Sequence, residues 1–261
     1  MKRISRYILL AALLLNAGYV MAWPKIGHET VAVLASEQLQ PAVRKQVEAI
    51  LGGDIISAEA SFEAMCKQPS VESYRLHLNE ELQPAGNEGD ILYQIEKYAD
   101  ILRNRTSNSD SLQREALCGL LHLVADMHCI AYVHIANEPL SEGFNFVYPK
   151  MTSLKGKVYM GKENWHKLWY GRFFKAHLGF TPQMFAENIV MAYASQRDTY
   201  AKGSPRDWAA EMGRQTRTLL AGMSEGIELP HKQVNLYEDI HEQNVAKAAY
   251  RLAALLNEIF K

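Results

Sequence analysis

The chain predicts an all-α fold: a single compact multi-helix domain with one long loop-rich segment. Three observations carry that prediction. Apolar residues recur at helical spacing through most of the 261 residues. Strand-like alternation is confined to short pieces, and no Gly/Ser-rich or Pro-rich linker divides the chain into separate units.

The amino-terminal stretch MKRISRYILLAALLLNAGYVMA places Lys2, Arg3 and Arg6 ahead of an apolar run from Ile8 to Leu15, with Val20 and Ala22 at small-residue cleavage positions. That is the pattern of a signal peptide, and the run falls short of the about 20 residues that a membrane-spanning helix needs. The expectation is an exported protein, periplasmic or secreted, with residues 1–22 removed and a mature domain over 23–261. A monomer is expected.

The mature chain opens with HETVAVLASEQLQPAVRKQVEAIL, where Val31, Val33, Leu34 and Leu39, then Val43, Val47, Ile50 and Leu51, give period-3.6 spacing broken near Pro41. Gly52 and Gly53 end the pattern. Ile91, Leu92, Ile95, Tyr98 and Leu102 repeat it, and DSLQREALCGLLHLVADMHCIAYVHIA forms a long apolar segment with Asp110 as its expected cap. Three further helical patterns run through TPQMFAENIVMAYASQRDTYAK, SPRDWAAEMGRQTRTLLAGM and EQNVAKAAYRLAALLNEIF. Between them, Asn137 to Asn164 reads as the loop-rich segment, relieved by the strand-like pieces FNFVYPK and GKVYM.

The formal net charge is -1, which excludes the broad basic footprint of a duplex-DNA binder and leaves only local nucleic-acid contacts. Cys66, Cys118 and Cys129 are an odd number for an exported protein, so at most one internal disulfide forms, with its pairing open. Cys118 reads as a small buried apolar residue.

The chemistry-bearing residues gather on and around the central helix. His122 and Asp126 are four apart, so they project from one helix face toward a common point. Taken alone, the pair is as well explained by a hydrogen bond within a packed core. His28, His77, His134 and His166 change the balance, because neutral imidazoles with carboxylates are the usual ligands of zinc. A free amino group at Trp23 with its own carbonyl oxygen makes a five-membered chelate with such an ion, available only after cleavage.

Together, the amino-terminal Trp followed by GHE, the helical LLHLVADMH, the later NWHKLW and the closing AKAAYRLAALLNEIF resemble the zinc-dependent single-strand nucleases of fungi and plants, which have many bacterial members and are relatives of the bacterial zinc phospholipase C enzymes. The resemblance spans essentially the whole mature chain, in order. It implies a mainly helical domain whose cleft holds three zinc ions and hydrolyses phosphoester bonds in single-stranded nucleic acid and 3'-nucleotides.

Position by position, the resemblance assigns one zinc ion to Trp23, His28 and the bridging Asp126. A second would share Asp126 and take His77 and His122, plus an Asp from a WAD motif that this chain replaces with Phe62 and Ala64; Glu63 is the neighbouring carboxylate. A third would take a His where this chain has Tyr132, with His134 displaced by two residues, then His166, and an Asp where it has Tyr170. On a helix, two residues turn a side chain by roughly 200°, so His134 substitutes only if the helix has ended. The catalytic assignments are Asp126 and Glu63. Tyr132 and Tyr170 either contact substrate or fill the vacated volume. Asn145 matches a substrate-contacting Asn of a GGN motif whose second Gly is Phe144 here; a loop-capping role explains it equally well. His177, His231 and His241 read as surface or loop residues, and His128 as a core residue. KVYMGKENWHKLWYGRFFK is either a base-stacking basic strip or a solvated face over an aromatic core. The substitutions leave two functions open: an exported zinc phosphoesterase, or a catalytically impaired descendant that keeps a structural zinc and acts as a binding protein.

Overall fold

The computed structural model describes residues 23–55, 74–152 and 156–261. The expected signal peptide, Phe62, Glu63, Ala64 and Cys66 lie outside those residues.

The first helical pattern forms two helices, α1 (Lys25–Glu37) and α2 (Pro41–Leu51). Pro41 occupies the first turn of α2, where its missing N–H costs nothing, and Gly52 closes α2 at φ +70°, a conformation that suits a residue without Cβ. Helix α3 (Ile91–Arg103) starts at Asp90, whose side chain accepts a hydrogen bond from the Leu92 N–H at 2.8 Å.

Helix α4 (Asp110–Met127) is the central element, packed against α1, α2 and α3. Every residue from Ala116 to Met127 is buried, which is why the sequence there is apolar on all sides rather than along one stripe. Its cap is Ser109, whose hydroxyl accepts from Leu112 N–H at 3.3 Å. Asp110, the expected cap, sits instead in the first turn, where its charge faces the positive end of the helix dipole. Gly119 lets α3 and α4 approach closely, since a Cβ there would run into the Tyr98 ring.

The central pattern does not stay helical to its end. The chain leaves α4 at Met127, passes through a 3-10 turn (Ile130–Tyr132), and enters strand β2 (Val133–Ile135), which pairs in parallel with β1 (Leu76–Leu78). His134 is therefore on a strand, not at a helix end; the alternation of Val133, His134 and Ile135 is the local reason. The expected loop-rich segment likewise contains an antiparallel hairpin, β3 (Asn145–Thr152) with β4 (Val158–Asn164), formed by the two strand-like pieces. Val147 ties it to the chain ahead of the last helix, donating to Ile227 O and accepting from Leu229 N.

After the hairpin, helical turns Trp165–Lys167 and Phe173–Ala176 flank a π-helical turn, Leu168–Arg172. Helices α5 (Pro182–Tyr193), α6 (Pro205–Leu220) and α7 (His231–Ile259) complete the fold. Ser204 and Asp207 form a reciprocal capping box on α6. Helix α7 packs on α1, α4 and α5, and His231 and His241 are both helical. His241 is buried, contrary to the surface position expected for it, because the rings of Trp23, Phe173 and Phe174 close around it. The core contains all four tryptophans, Trp23, Trp165, Trp169 and Trp208. Cys118 and Cys129 are buried within it. Among the described residues no helix is long and apolar enough to cross a membrane.

Candidate metal centre

Two histidine groups emerge from this framework. The first joins α1 to α4. His28, in the opening turn of α1, places Nε2 3.4 Å from Asp126 Oδ1, and His122 places Nε2 3.2 Å from Asp126 Oδ2. The two imidazoles stack at 4.2 Å with 3° between their planes. All three residues are buried, and a donor atom from each lies within 4.8 Å of the other two. Ligands held at about 2.0–2.1 Å from one zinc ion at tetrahedral angles stand roughly 3.3 Å apart, and these three donors, within 4.8 Å of one another, form a nitrogen, nitrogen, oxygen group that could hold such an ion. Asp126 Oδ1 has no hydrogen-bond partner among the described residues, leaving a buried acceptor lone pair to satisfy.

Packing holds this group in place. Trp23, just ahead of α1, sets its indole edge-on to Phe174 and His241, at 5.6 and 5.5 Å between ring centroids. Gly27 admits Phe174 against α1, where a Cβ would lie 2.5 Å from the ring. At the carboxyl end of α4, His128 donates its Nδ1–H to Val124 O at 2.7 Å and meets Arg251 Nη1 through Nε2 at 2.9 Å. Burial, with Arg251 close by, pushes the His128 pKa down to about 3. A neutral His128 accepts from Arg251, which also pairs with Glu211; Lys247 bonds the same carboxylate at 2.6 Å. Those two cations pull Glu211 down to about 2 despite its burial.

The second group is built on backbone pairing. His77 and His134 are direct partners across the β1–β2 ladder, with rings 5.5 Å apart. His77 Nδ1 is 3.7 Å from Asp90 Oδ2, and that carboxylate raises the His77 pKa. Asp90 is held in turn by the His77 N–H, at 2.7 Å. His134 Nδ1 lies 2.7 Å from Glu142 Oε1, and its Nε2 lies 2.5 Å from Arg75 Nη1. Burial lowers the His134 pKa against the opposing pull of Glu142.

His166 completes this group, its ring 6.4 Å from that of His134. Asn164 caps the turn that carries it, accepting from His166 N–H at 3.0 Å. Gly143 lies beneath the ring at φ +106°, where a Cβ would come 3.0 Å from His166 Cε1. Burial, with Arg75 and His134 adding positive charge, pushes His166 down to about 4. A cleft of about 700 Å³ opens here, lined by His77, His134, Asn137 and Glu142 among others.

The sequence expectation that His77 and His122 share an ion meets a different arrangement: His122 converges with His28 and Asp126, whereas His77 faces His134. Tyr132 is fully buried, and Tyr170 is half-buried, its pKa raised by burial and by Glu163. Tyr170 borders a basic recess of about 500 Å³ with Lys167, Arg172 and Lys175. Asn145 is clamped to Glu225 through both its backbone N–H and its side-chain amide, each at 3.0 Å, an arrangement that fixes the loop. Phe144 stacks on Trp165 at 5.0 Å rather than facing a ligand. Sequence reasoning did not single out Arg75, Asp90 or Glu142. For Arg75 a signal existed: two positions before His77 on an extended segment, it shares that residue's face.

A helical domain with a buried His, His, Asp donor set and a second histidine group at an open cleft is a candidate metal-binding domain. The family model for S1/P1 nuclease matches residues 23–261, nearly the whole chain. The protein is thus a member of the S1/P1 nuclease family, whose chemistry is that of a nuclease or phosphodiesterase and whose members are zinc enzymes. No curated protein matches the chain.

Proposed function

We propose that the protein is an exported, zinc-dependent phosphoesterase that hydrolyses single-stranded nucleic acid or 3'-nucleotides, with zinc held by His28, His122 and Asp126. The observation that carries this reading is the convergence of those three donors in the buried core of a family member. When bound, zinc supplies Lewis acidity and makes a coordinated water a nucleophile near neutral pH.

The chain's own residues do the rest. Asp126 faces both imidazoles, one oxygen to each Nε2, and supplies the negative charge that a dication requires. The two rings lie parallel and face to face, which restrains their tilt. Lys167, Arg172 and Lys175 suit a phosphodiester backbone, and the half-buried Tyr170 offers a ring for a base to stack on. Export is supported by the signal-like leader and by the family match beginning at Trp23, the residue that cleavage would expose. The amine and carbonyl of Trp23 would then join the zinc site, a contribution that altering Ala22 to block cleavage should abolish, with a lower metal content.

The test is hydrolysis of single-stranded DNA, RNA and 3'-nucleotides by protein beginning at Trp23, with zinc supplied and with zinc removed by chelation. Zinc-dependent turnover is expected. Bound zinc without turnover on any of these would replace this reading with the alternative, a binding protein with a structural zinc. That alternative is favoured by one feature: Tyr132, at a ligand position of the resemblance, is packed fully into the core.

A further inference from the structure

Arg75 brings a permanent positive charge into the second histidine group. A guanidinium has only donors and stays protonated, so the 2.5 Å contact from Arg75 Nη1 requires His134 Nε2 to present its lone pair. The proton of His134 is then on Nδ1, which donates it to Glu142 Oε1 at 2.7 Å. Both nitrogens of His134 are engaged, and the lone pair that a metal would use points at a cation instead. His166, 6.4 Å from His134, feels the same positive charge. A dication here would face the like charge of Arg75 as well as a ligand already occupied. Among the described residues no carboxylate lies within ion-pair distance of Arg75; Glu142, across the His134 ring, is the acid near enough for the Arg75 charge to help lower its pKa.

We infer that Arg75, half-buried behind the His134 ring that lines the cleft, takes the place of a metal ion in the second histidine group, so that this group offers a phosphate oxyanion a built-in guanidinium and holds no zinc. The donor set here does not fit an additional ion while Arg75 occupies it. The inference rests on the proposed zinc site only for the total metal count; the role of the guanidinium stands apart from it. A guanidinium pairs with a phosphate through parallel N–H bonds, but it cannot ionise a water. The division of labour that follows is one group that holds zinc and one that holds the anion.

The test is zinc titration of chelator-stripped full-length mature protein, followed by calorimetry and elemental analysis. Wild type should take up one equivalent, lost in His122→Ala and retained in His134→Ala. Arg75→Ala should gain a second equivalent, which Arg75→Ala combined with His134→Ala loses again. A second equivalent in wild type that His134→Ala removes would overturn the inference, as would Arg75→Ala remaining at one.

Inorganic phosphate titrated into the stripped protein gives an independent readout. Arg75→Gln should weaken phosphate binding by about tenfold or more, with Arg75→Lys intermediate, because the charge then survives without its planar fork. Equal affinity in wild type and Arg75→Gln would overturn the role of the charge. Failure of the first group to bind zinc would defeat the proposed function and leave this phosphate result standing.

Discussion

The two histidine groups use the same residue types and reach opposite electrostatic states. In the first, two imidazoles from rigid helices face one carboxylate whose charge is shared between them, with no cation among these partners. In the second, the imidazoles sit on two short strands and a capped turn, each acid is paired with a single ring, and a guanidinium contacts His134. The difference teaches that counting histidines does not count metal sites. What decides is whether the donor nitrogens are left pointing at one another across an uncompensated negative charge.

The largest effect expected from breaking this contrast is at Asp126. Asp126→Asn should abolish zinc uptake and cut hydrolysis of single-stranded DNA by more than about a hundredfold, while His77→Ala leaves the zinc count unchanged; elemental analysis and initial rates check both. Equal loss of zinc in the two variants would erase the distinction between the groups.

The support beneath the first group gives a pH signature. His128 remains neutral when folded, its pKa pushed down to about 3, whereas in the unfolded chain it titrates near the ordinary value of about 6.5. Between those values the unfolded state binds the extra proton, so stability is complete above pH of about 6.5 and falls as pH drops. The slope is about 1.4 kcal/mol per pH unit, or roughly 3 °C in melting temperature for a domain of this size. Glu211, held down to about 2, adds a second loss once pH falls below its ordinary range. Melting curves from pH 7.5 to 5 measure this slope together with those of the buried His166 and His241, and His128→Gln should remove the His128 share alone.

A smaller effect is expected in the second group at Gly143. Gly143→Ala should cost about 1–2 kcal/mol, through a positive φ and contact with the His166 ring. Denaturant unfolding measures that loss, and phosphate titration reads the displacement of His166. The smallest is Asn145→Ala, which removes one amide bond to an exposed Glu225 and should cost no more than about 1 kcal/mol. If its KM for oligonucleotide rises while its melting temperature holds, Asn145 contacts substrate as well as fixing its loop.

Much of the fold was readable because helix burial writes itself into local periodicity. The break at Pro41, the stop at Gly52 and the apolar run of α4 each appear where expected. Local chemistry also exposed the His122 and Asp126 pair, since four residues on a helix bring two side chains together whatever surrounds them. His28 could be joined to that pair only through the resemblance, because the docking of α1 on α4 is a tertiary fact. The end of α4 at Met127 was obscured by a continuing apolar run, so His134 was read on the wrong element. His241 looked like an ordinary polar residue of a surface helix, and only the packing of Trp23, Phe173 and Phe174 reveals that it is buried. Arg75 was passed over because its role depends on a strand partner far away in the chain.

That strand pairing also sets when its two histidines can meet. His122 and Asp126 are brought into register by the winding of one helix, and His28 joins when α1 docks. His77 and His134 meet only when a parallel ladder closes, and the whole of α3 and α4 lies between its two strands in the chain. Closing a loop of that length pays its entropy before any pairing repays it. The first group waits on a still longer closure, since His28 and His122 stand farther apart in the chain than His77 and His134, so neither group is completed by local winding alone.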